Sequence, residues 1–202
     1  MSIEPAPASR PFGRRADAER NRERILDHAT RLLLDQPGIG MEEVAAAAGV
    51  GRATLYRHFA TREKLIGAIA LRAAAEVEQV IAASRLEEGA AADALKRLVV
   101  ALLQVRSRYP FLITRWSVAP TLEWDEAQWE RISSPLQALF ERGQQGGEFS
   151  RSLSPAWMVS AFIAVIVSAS QSLSEGLLDQ EEAAGAVTAT LLGGFGTSAG
   201  GG

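Results

Sequence analysis

Cysteine is absent from the 202 residues, and histidine occurs only twice, as His28 and His58. Without cysteine there is no disulfide framework, no thiolate nucleophile and no thiolate metal site. A site built from several imidazoles is hard to assemble anywhere and impossible beyond residue 58, so no metal and no other cofactor is expected. Segments that alternate apolar and polar residues with period two are also missing, which removes the usual signal for half-buried β-strands. A secretory leader is not expected either: the opening "MSIEPAPASRPFGRR" has no continuous apolar stretch. The most apolar run, "AWMVSAFIAVIVSASQSL" from Ala156 to Leu173, carries no charge and approaches membrane-spanning length. It is interrupted by Ser160, Ser168, Ser170 and Ser172, lacks basic flanks and stands alone. It reads as a buried or interface helix, and the chain as cytoplasmic with no membrane partner.

What is present is a globular composition, 47% hydrophobic and 22% charged, in a chain long enough for one large or two small cores. The net charge of −3 conceals an asymmetry. Residues 1–72 hold 12 Lys/Arg and 9 Asp/Glu, a balance of +3, whereas residues 73–202 hold 9 and 15, a balance of −6. Only the first third is suited to meet a polyanion.

Helical periodicity runs through the whole chain. Ile25, Ala29, Leu32 and Leu33 mark a first amphipathic helix over about residues 18–35, stopped by "QPGIG". Two short helices follow, near 41–48 and 52–58, joined through Gly49, which tolerates the left-handed backbone of a helix end. Thr61 is placed to cap a long helix over about 62–84, and further helices are predicted near 91–108, 125–142, 155–175 and 180–192. The predicted fold is all-α, with a flexible basic arm (1–17), a three-helix DNA-binding domain (18–68), a helical domain (69–195) and a flexible tail (196–202).

The two short helices have the form of a helix-turn-helix, in which the first crosses the DNA backbone and the second lies in the major groove. Ala45 to Ala48 allow close helix approach, and Leu55 and Phe59 point inward. The residues left over carry the chemistry. Arg52 and Arg57 can reach guanine N7 and O6, Thr54 can bond a phosphate or touch a thymine methyl, and Tyr56 and His58 can donate to phosphates. Packing alone would account for Tyr56 or His58, but the inward face is already occupied. Arg10, Arg14 and Arg15 precede the first helix as a candidate minor-groove arm, with an unbound basic tail as the alternative.

The stretch "EEVAAAAGVGRATLYRHFATREKL", Glu42 to Leu65, resembles the DNA-binding signature of the tetracycline-repressor (TetR) family of bacterial transcription regulators, most specifically in "AGVGRATLYRHF". The resemblance covers about residues 20–68 at motif level. It implies that Arg52, Ala53, Thr54, Tyr56 and Arg57 face the major groove, that Tyr56, His58 and Arg62 contact phosphates, and that Lys64 adds charge nearby. It also implies a homodimer formed by the last two helices and a small-molecule pocket in the helical domain. Two positions depart from the family pattern: Gly40 and Gly51 stand where Ser or Thr usually caps a helix, which loses only a few tenths of a kcal/mol but removes a hydroxyl at residue 51.

In the second domain, Tyr109, Phe111, Trp116, Trp124, Trp129, Phe140, Trp157 and Phe162 suit either an apolar core or a pocket wall, with Arg106 or Arg115 available for an acidic ligand group. Val159, Ile163, Ile166 and Val167 are the expected dimer contacts, since their helix is apolar nearly all round. Glu123, Asp125, Glu126 and Glu130 suit a helix start and a solvated face better than catalysis. The sequence therefore predicts a regulator, not an enzyme: a repressor that binds palindromic double-stranded DNA as a homodimer and is released by a small, largely apolar effector. The alternative is a regulator controlled by a protein partner or by its own abundance.

Overall fold

The computed structural model describes residues 11–36, 38–106, 108, 109 and 126–197, and among them eight α-helices and no strand. In chain order these are α1 (Pro11–Asp35), α2 (Met41–Ala47), α3 (Arg52–His58), α4 (Arg62–Ala83), α5 (Ala91–Arg106), α6 (Glu126–Gln145), α7 (Pro155–Ser174) and α8 (Gln180–Phe195). The chain divides into two compact units, Met1–Ile69 and Ala70–Gly202.

Local chemistry accounts for several helix starts. Thr61 Oγ1 accepts the Lys64 N–H at 3.3 Å where α4 begins. Ser154 Oγ accepts the Trp157 N–H at 3.2 Å, and Pro155, which has no N–H to leave unpaired, opens α7. Asp179 and Glu182 form a reciprocal capping box on α8. One start differs from the sequence reading. α1 opens at Pro11, so Arg14 and Arg15 lie on a helix and not in a flexible arm. Pro11 suits a first helical position, and the residues after it include good helix formers with Asp17 paired to Arg20 one turn on. Residues 1–10, including Arg10, lie outside the described residues.

In the first unit α1 packs on α2 and α2 on α3. Ile25, Leu26 and Ala29 of α1, Val44 and Ala45 of α2, Leu55 of α3 and Leu65 and Ile69 of α4 are buried. In the second unit α5, α6, α7 and α8 enclose one hydrophobic core. Phe140, fully buried at its centre, meets the rings of Phe149, Phe162 and Phe195 at 5.9, 6.3 and 5.4 Å between centroids.

Long-range polar contacts fix the corner between α4 and α5. Arg142 of α6 donates to the Leu86 and Gly89 carbonyls, each at 2.6 Å. Arg97 Nη2 donates to the Arg85 and Glu88 carbonyls at 3.1 and 3.0 Å. The Glu148 carboxylate accepts the Ala91 and Ala92 N–H groups at 2.8 and 3.0 Å, pairing donors that the first turn of α5 leaves open. Glu148 reaches that helix because the chain turns sharply after α6 at Gly147, φ 74°, and folds back so that the Phe149 ring lies against the bare Cα of Gly143. A Cβ at residue 143 would stand 2.1 Å from Phe149 Cδ2. Gly143→Ala is therefore expected to destabilise by about 1–3 kcal/mol through overpacking; an unchanged urea midpoint would show that the ring moves aside freely.

Tyr109, after α5, is buried and donates its hydroxyl to Glu76 Oε1 of α4 at 2.5 Å. Burial, and then the bond to Glu76, push the phenol up to about 12. Below pH 10 the folded and unfolded chains both hold this proton; between about 10 and 12 only the unfolded chain releases it, so stability declines across that window. Tyr109→Phe should show a smaller loss of urea resistance between pH 9 and pH 11 than the parent does. An equal loss in both would sink the assignment.

Candidate nucleic-acid interface

The turn that sets α3 against α2 is a Schellman motif. Gly49 takes a φ of 61°, its N–H donates to the Ala46 carbonyl at 3.1 Å, and the Val50 N–H donates to the Ala45 carbonyl at 3.0 Å. A third contact closes it from outside: Arg24 of α1 donates through Nη2 to the Ala48 carbonyl at 2.6 Å. No local spacing links residue 24 to residue 48, so this clamp was not legible in the sequence. At the other end of α2, Glu43 accepts the Gly40 N–H at 2.9 Å. That carboxylate supplies the half of a capping box that does not need a side chain on Gly40.

α3 presents one buried and one exposed face. Leu55 is fully buried, and Phe59 follows it inward. Arg52, Ala53, Tyr56 and Arg57 are exposed together, as the spacing i, i+1, i+4, i+5 requires, while Thr54 is half-buried beside them. Arg52 pairs with Glu42 Oε1 at 2.5 Å and lies 5.5 Å over the Tyr56 ring centroid. Arg57 has no ion pair among the described residues. At Gly51, which caps α3 with φ −67° and ψ 147°, nothing lies within 4 Å of an added Cβ, so a serine there would fit without strain.

Two predicted phosphate contacts are placed less simply. Arg62 is half-buried and donates through Nε to the Ile39 carbonyl at 3.2 Å, which ties the start of α4 to the segment before α2. His58 is half-buried, its Nε2 is enclosed without a hydrogen-bond partner, and its ring lies 6.4 Å from that of Phe59. In this position Nε2 offers no donor to solvent. Lys64 is exposed.

A small basic head with a closed turn and an exposed Arg/Tyr/Arg face has the shape and charge to enter a major groove. The family model for bacterial regulatory proteins of the tetR family matches residues 25–69, the segment just described. NfxB, an HTH-type transcriptional regulator of Pseudomonas aeruginosa, is 31% identical over 147 residues, 71% of this chain and 78% of NfxB. The chain belongs to the TetR family. It is a DNA-binding transcriptional regulator and not an enzyme. Solved TetR-family structures share its fold. LfrR from Mycobacterium smegmatis, crystallised with proflavine, superposes with a TM-score of 0.70 at 24% identity over 89% of this chain and 98% of LfrR. AibR, in complex with isovaleryl coenzyme A and operator DNA, superposes with a TM-score of 0.67 at 20% identity over 85% and 98%.

In this TetR-family chain the residues predicted for a pocket do not converge among the described residues. Phe140 and Phe162 fill the core of the second unit, Trp129 is exposed, and Tyr109 is held by Glu76. The core takes both phenylalanines because they sit on the inward faces of α6 and α7. Phe111, Trp116 and Trp124, with Arg115, Glu123 and Asp125, lie outside the described residues, as does the Arg106 side chain. A surface cleft of about 650 Å³ lies along α4 and α5 beside Val80, Ser84, Glu88 and Ala101, and none of the predicted pocket aromatics lines it.

The expected dimer contacts also divide. Val159 and Ile166 are buried in the subunit's own core, because α7 turns that side toward α6 and α8; Ile163 and Val167 are half-buried. The exposed side of α7 carries Trp157, Ser160, Ala164 and Ser168. α7 is long and apolar enough by length and composition to cross a membrane, with mean hydropathy 1.6, but Ala161, Ile163 and Val165 pack against the subunit's own core and the exposed side is small and uncharged.

Proposed function

We propose that the protein is a cytoplasmic repressor. Two copies bind the halves of a palindromic operator through α3, with Arg52, Ala53, Thr54, Tyr56 and Arg57 toward the bases and Tyr56, His58, Arg62 and Lys64 toward phosphates. The observation that carries this reading is the exposed face of α3, where two arginines and a tyrosine stand clear of the core on a short helix held by a closed turn. His58 joins it only if its ring turns outward on binding, and Arg62 only through donors other than the Nε held by Ile39.

A two-fold operator calls for a two-fold protein. The outward side of α7 supports one: it is uncharged, it bears small residues at Ser160, Ala164 and Ser168 that permit close helix approach, and Trp157 is 60% exposed at one end. Ile163 and Val167 flank that stripe. Ala164→Arg should place a charge in the contact and give monomers in sedimentation at micromolar concentration; a persistent dimer would move the interface elsewhere.

The regulatory step is a population shift. An effector that prefers a conformation unfit for two successive major grooves must weaken DNA binding, and by linkage DNA weakens the effector. AibR is described with both a small molecule and operator DNA, which supports extending this logic here. α4 has residues in both units and is the element through which such a preference is transmitted.

The test is selection from random duplex DNA followed by footprinting of the selected sequence. Protection of a near-palindrome is expected. Recovery of no preferred sequence would make the protein a sequence-indifferent DNA binder and refute the repressor reading. A screen of small apolar compounds for concentration-dependent rises in melting temperature tests the effector separately.

A further inference from the structure

The ion pair between Glu42 and Arg52 contributes little to the fold. Both side chains are about two-thirds exposed (67% and 66%), and exposed pairs of this kind add little stability. α2 does not need Glu42 as a cap either, because Glu43 already holds the Gly40 N–H. What Glu42 does is hold one guanidinium in a particular place. Its Oε1 takes Arg52 Nη1 at 2.5 Å, while Arg52 Cζ sits 5.5 Å over the Tyr56 ring. A guanidinium is a planar fork with donors on more than one edge. With Nη1 on the carboxylate and one face on the ring, the edge formed by Nε and Nη2 remains available, and it has no other partner among the described residues.

We infer that Glu42 is a specificity-determining positioning residue: it aims the Nε/Nη2 edge of Arg52 at a guanine while cancelling the charge of Arg52 toward phosphates. Guanine presents two uncharged acceptors, N7 and O6, in the major groove, and a side-on guanidinium can bond both without leaving Glu42. A phosphate has a formal charge to neutralise and meets a pair whose net charge is zero. Glu42 therefore favours base reading over backbone binding, the distinction on which sequence selectivity depends. Arg57, with no ion pair among the described residues, is not held in this way. The inference rests on the proposed reading of α3 as the recognition helix and goes one residue beyond it, to an acidic group on α2 that acts through Arg52.

The experiment compares two duplexes, one selected by the parent protein from random DNA and one with the same bases scrambled. Affinities are measured at several salt concentrations for the parent, Glu42→Gln, Arg52→Ala and the double variant. Urea midpoints for all four confirm that each is folded. In Glu42→Gln the freed Arg52 charge should neutralise about one more phosphate on the scrambled duplex, steepening the slope of log affinity against log salt by about 0.9. That slope is worth about eight-fold in affinity at 0.1 M relative to 1 M salt. Affinity for the selected duplex should not rise with it, so the ratio between the two duplexes falls. In the Arg52→Ala background the same change should leave the ratio within about two-fold, because the pair that couples the residues is gone.

If the parent selects no sequence, the reading of α3 fails and takes this inference with it. If the parent selects a sequence but Glu42→Gln keeps both ratio and slope, the inference alone is overturned. It is overturned equally if Glu42→Gln lowers the ratio as much without Arg52 as with it, since Glu42 would then act as a general repulsive charge.

Discussion

Phe140→Ala should cost about 3–5 kcal/mol of folding stability, the range for truncating a fully buried aromatic. Phe140 has no exposed surface, and its ring meets Phe149, Phe162 and Phe195, which come from the turn after α6, from α7 and from α8. Removing it strips contacts from three other rings at once. The Phe195 ring stands nearly perpendicular to it, at 83° and 5.4 Å, an edge-to-face arrangement that adds to burial alone. Collapse of the cavity is opposed because Phe149 is confined by Gly143 behind it, with an added Cβ only 2.1 Å away. Domains are commonly stable by about 5–15 kcal/mol, so this single change threatens the fold of the second unit. The measurement is the urea midpoint, with the slope of the transition checked for constancy. A loss under about 1 kcal/mol would mean that the four rings are not packed as described. Phe140→Leu should retain a good part of the stability, because most of the buried volume is kept.

The same ring shows where sequence reading stopped. Phe140 and Phe162 suited a core or a pocket wall equally well, since both need large apolar side chains at helical spacing. Only the assembled helices show that they face each other with Phe149 and Phe195 between neighbouring elements. Signals that act within a turn or two were legible: Thr61 and Gly49 each mark a helix end by chemistry confined to adjacent residues. The exposed and buried faces of α3 were legible for the same reason, because period alone assigns Leu55 and Phe59 inward. Contacts joined across the chain were not. Glu148 caps α5 from 57 residues away, Arg142 holds carbonyls more than 50 residues before it, and Arg24 closes the α2 to α3 turn from α1. A charged residue in a sequence window gives no sign of which distant carbonyl it will meet. The direction of α7 was hidden in another way. A helix apolar on nearly every side has no hydrophobic stripe to orient it, so Val159 and Ile166 were indistinguishable from their neighbours until α6 and α8 were placed beside them.

Arg57→Ala should lower affinity for the selected operator by about 1–3 kcal/mol, about five-fold to more than a hundred-fold, and relax the base preference at one position of each half-site. Arg57 is exposed on α3 next to Tyr56 and has no ion pair among the described residues, so its guanidinium is open to the DNA contact proposed for it. Arg57→Lys distinguishes how that charge is used. A lysine keeps the charge but not the planar fork, so a base-reading arginine loses most of its discrimination on this change, whereas a phosphate contact loses little. Tyr56→Ala should act differently from both. Tyr56 bears the Arg52 guanidinium on its face, and on the proposed reading its hydroxyl meets the DNA backbone, so its loss would remove a phosphate contact and loosen a base reader in one step. Affinity for the operator should fall further than in Arg57→Ala, with a smaller fall on scrambled DNA, where only the phosphate contact is lost. Quantitative binding of all three variants to selected and scrambled duplexes at one fixed salt concentration decides the matter. If Arg57→Ala weakens binding to both duplexes equally, Arg57 contacts phosphate and base reading rests on Arg52 and its neighbours alone. If none of the three variants changes binding to either duplex, α3 does not enter the groove, and the exposed face that carries the proposed function serves another partner.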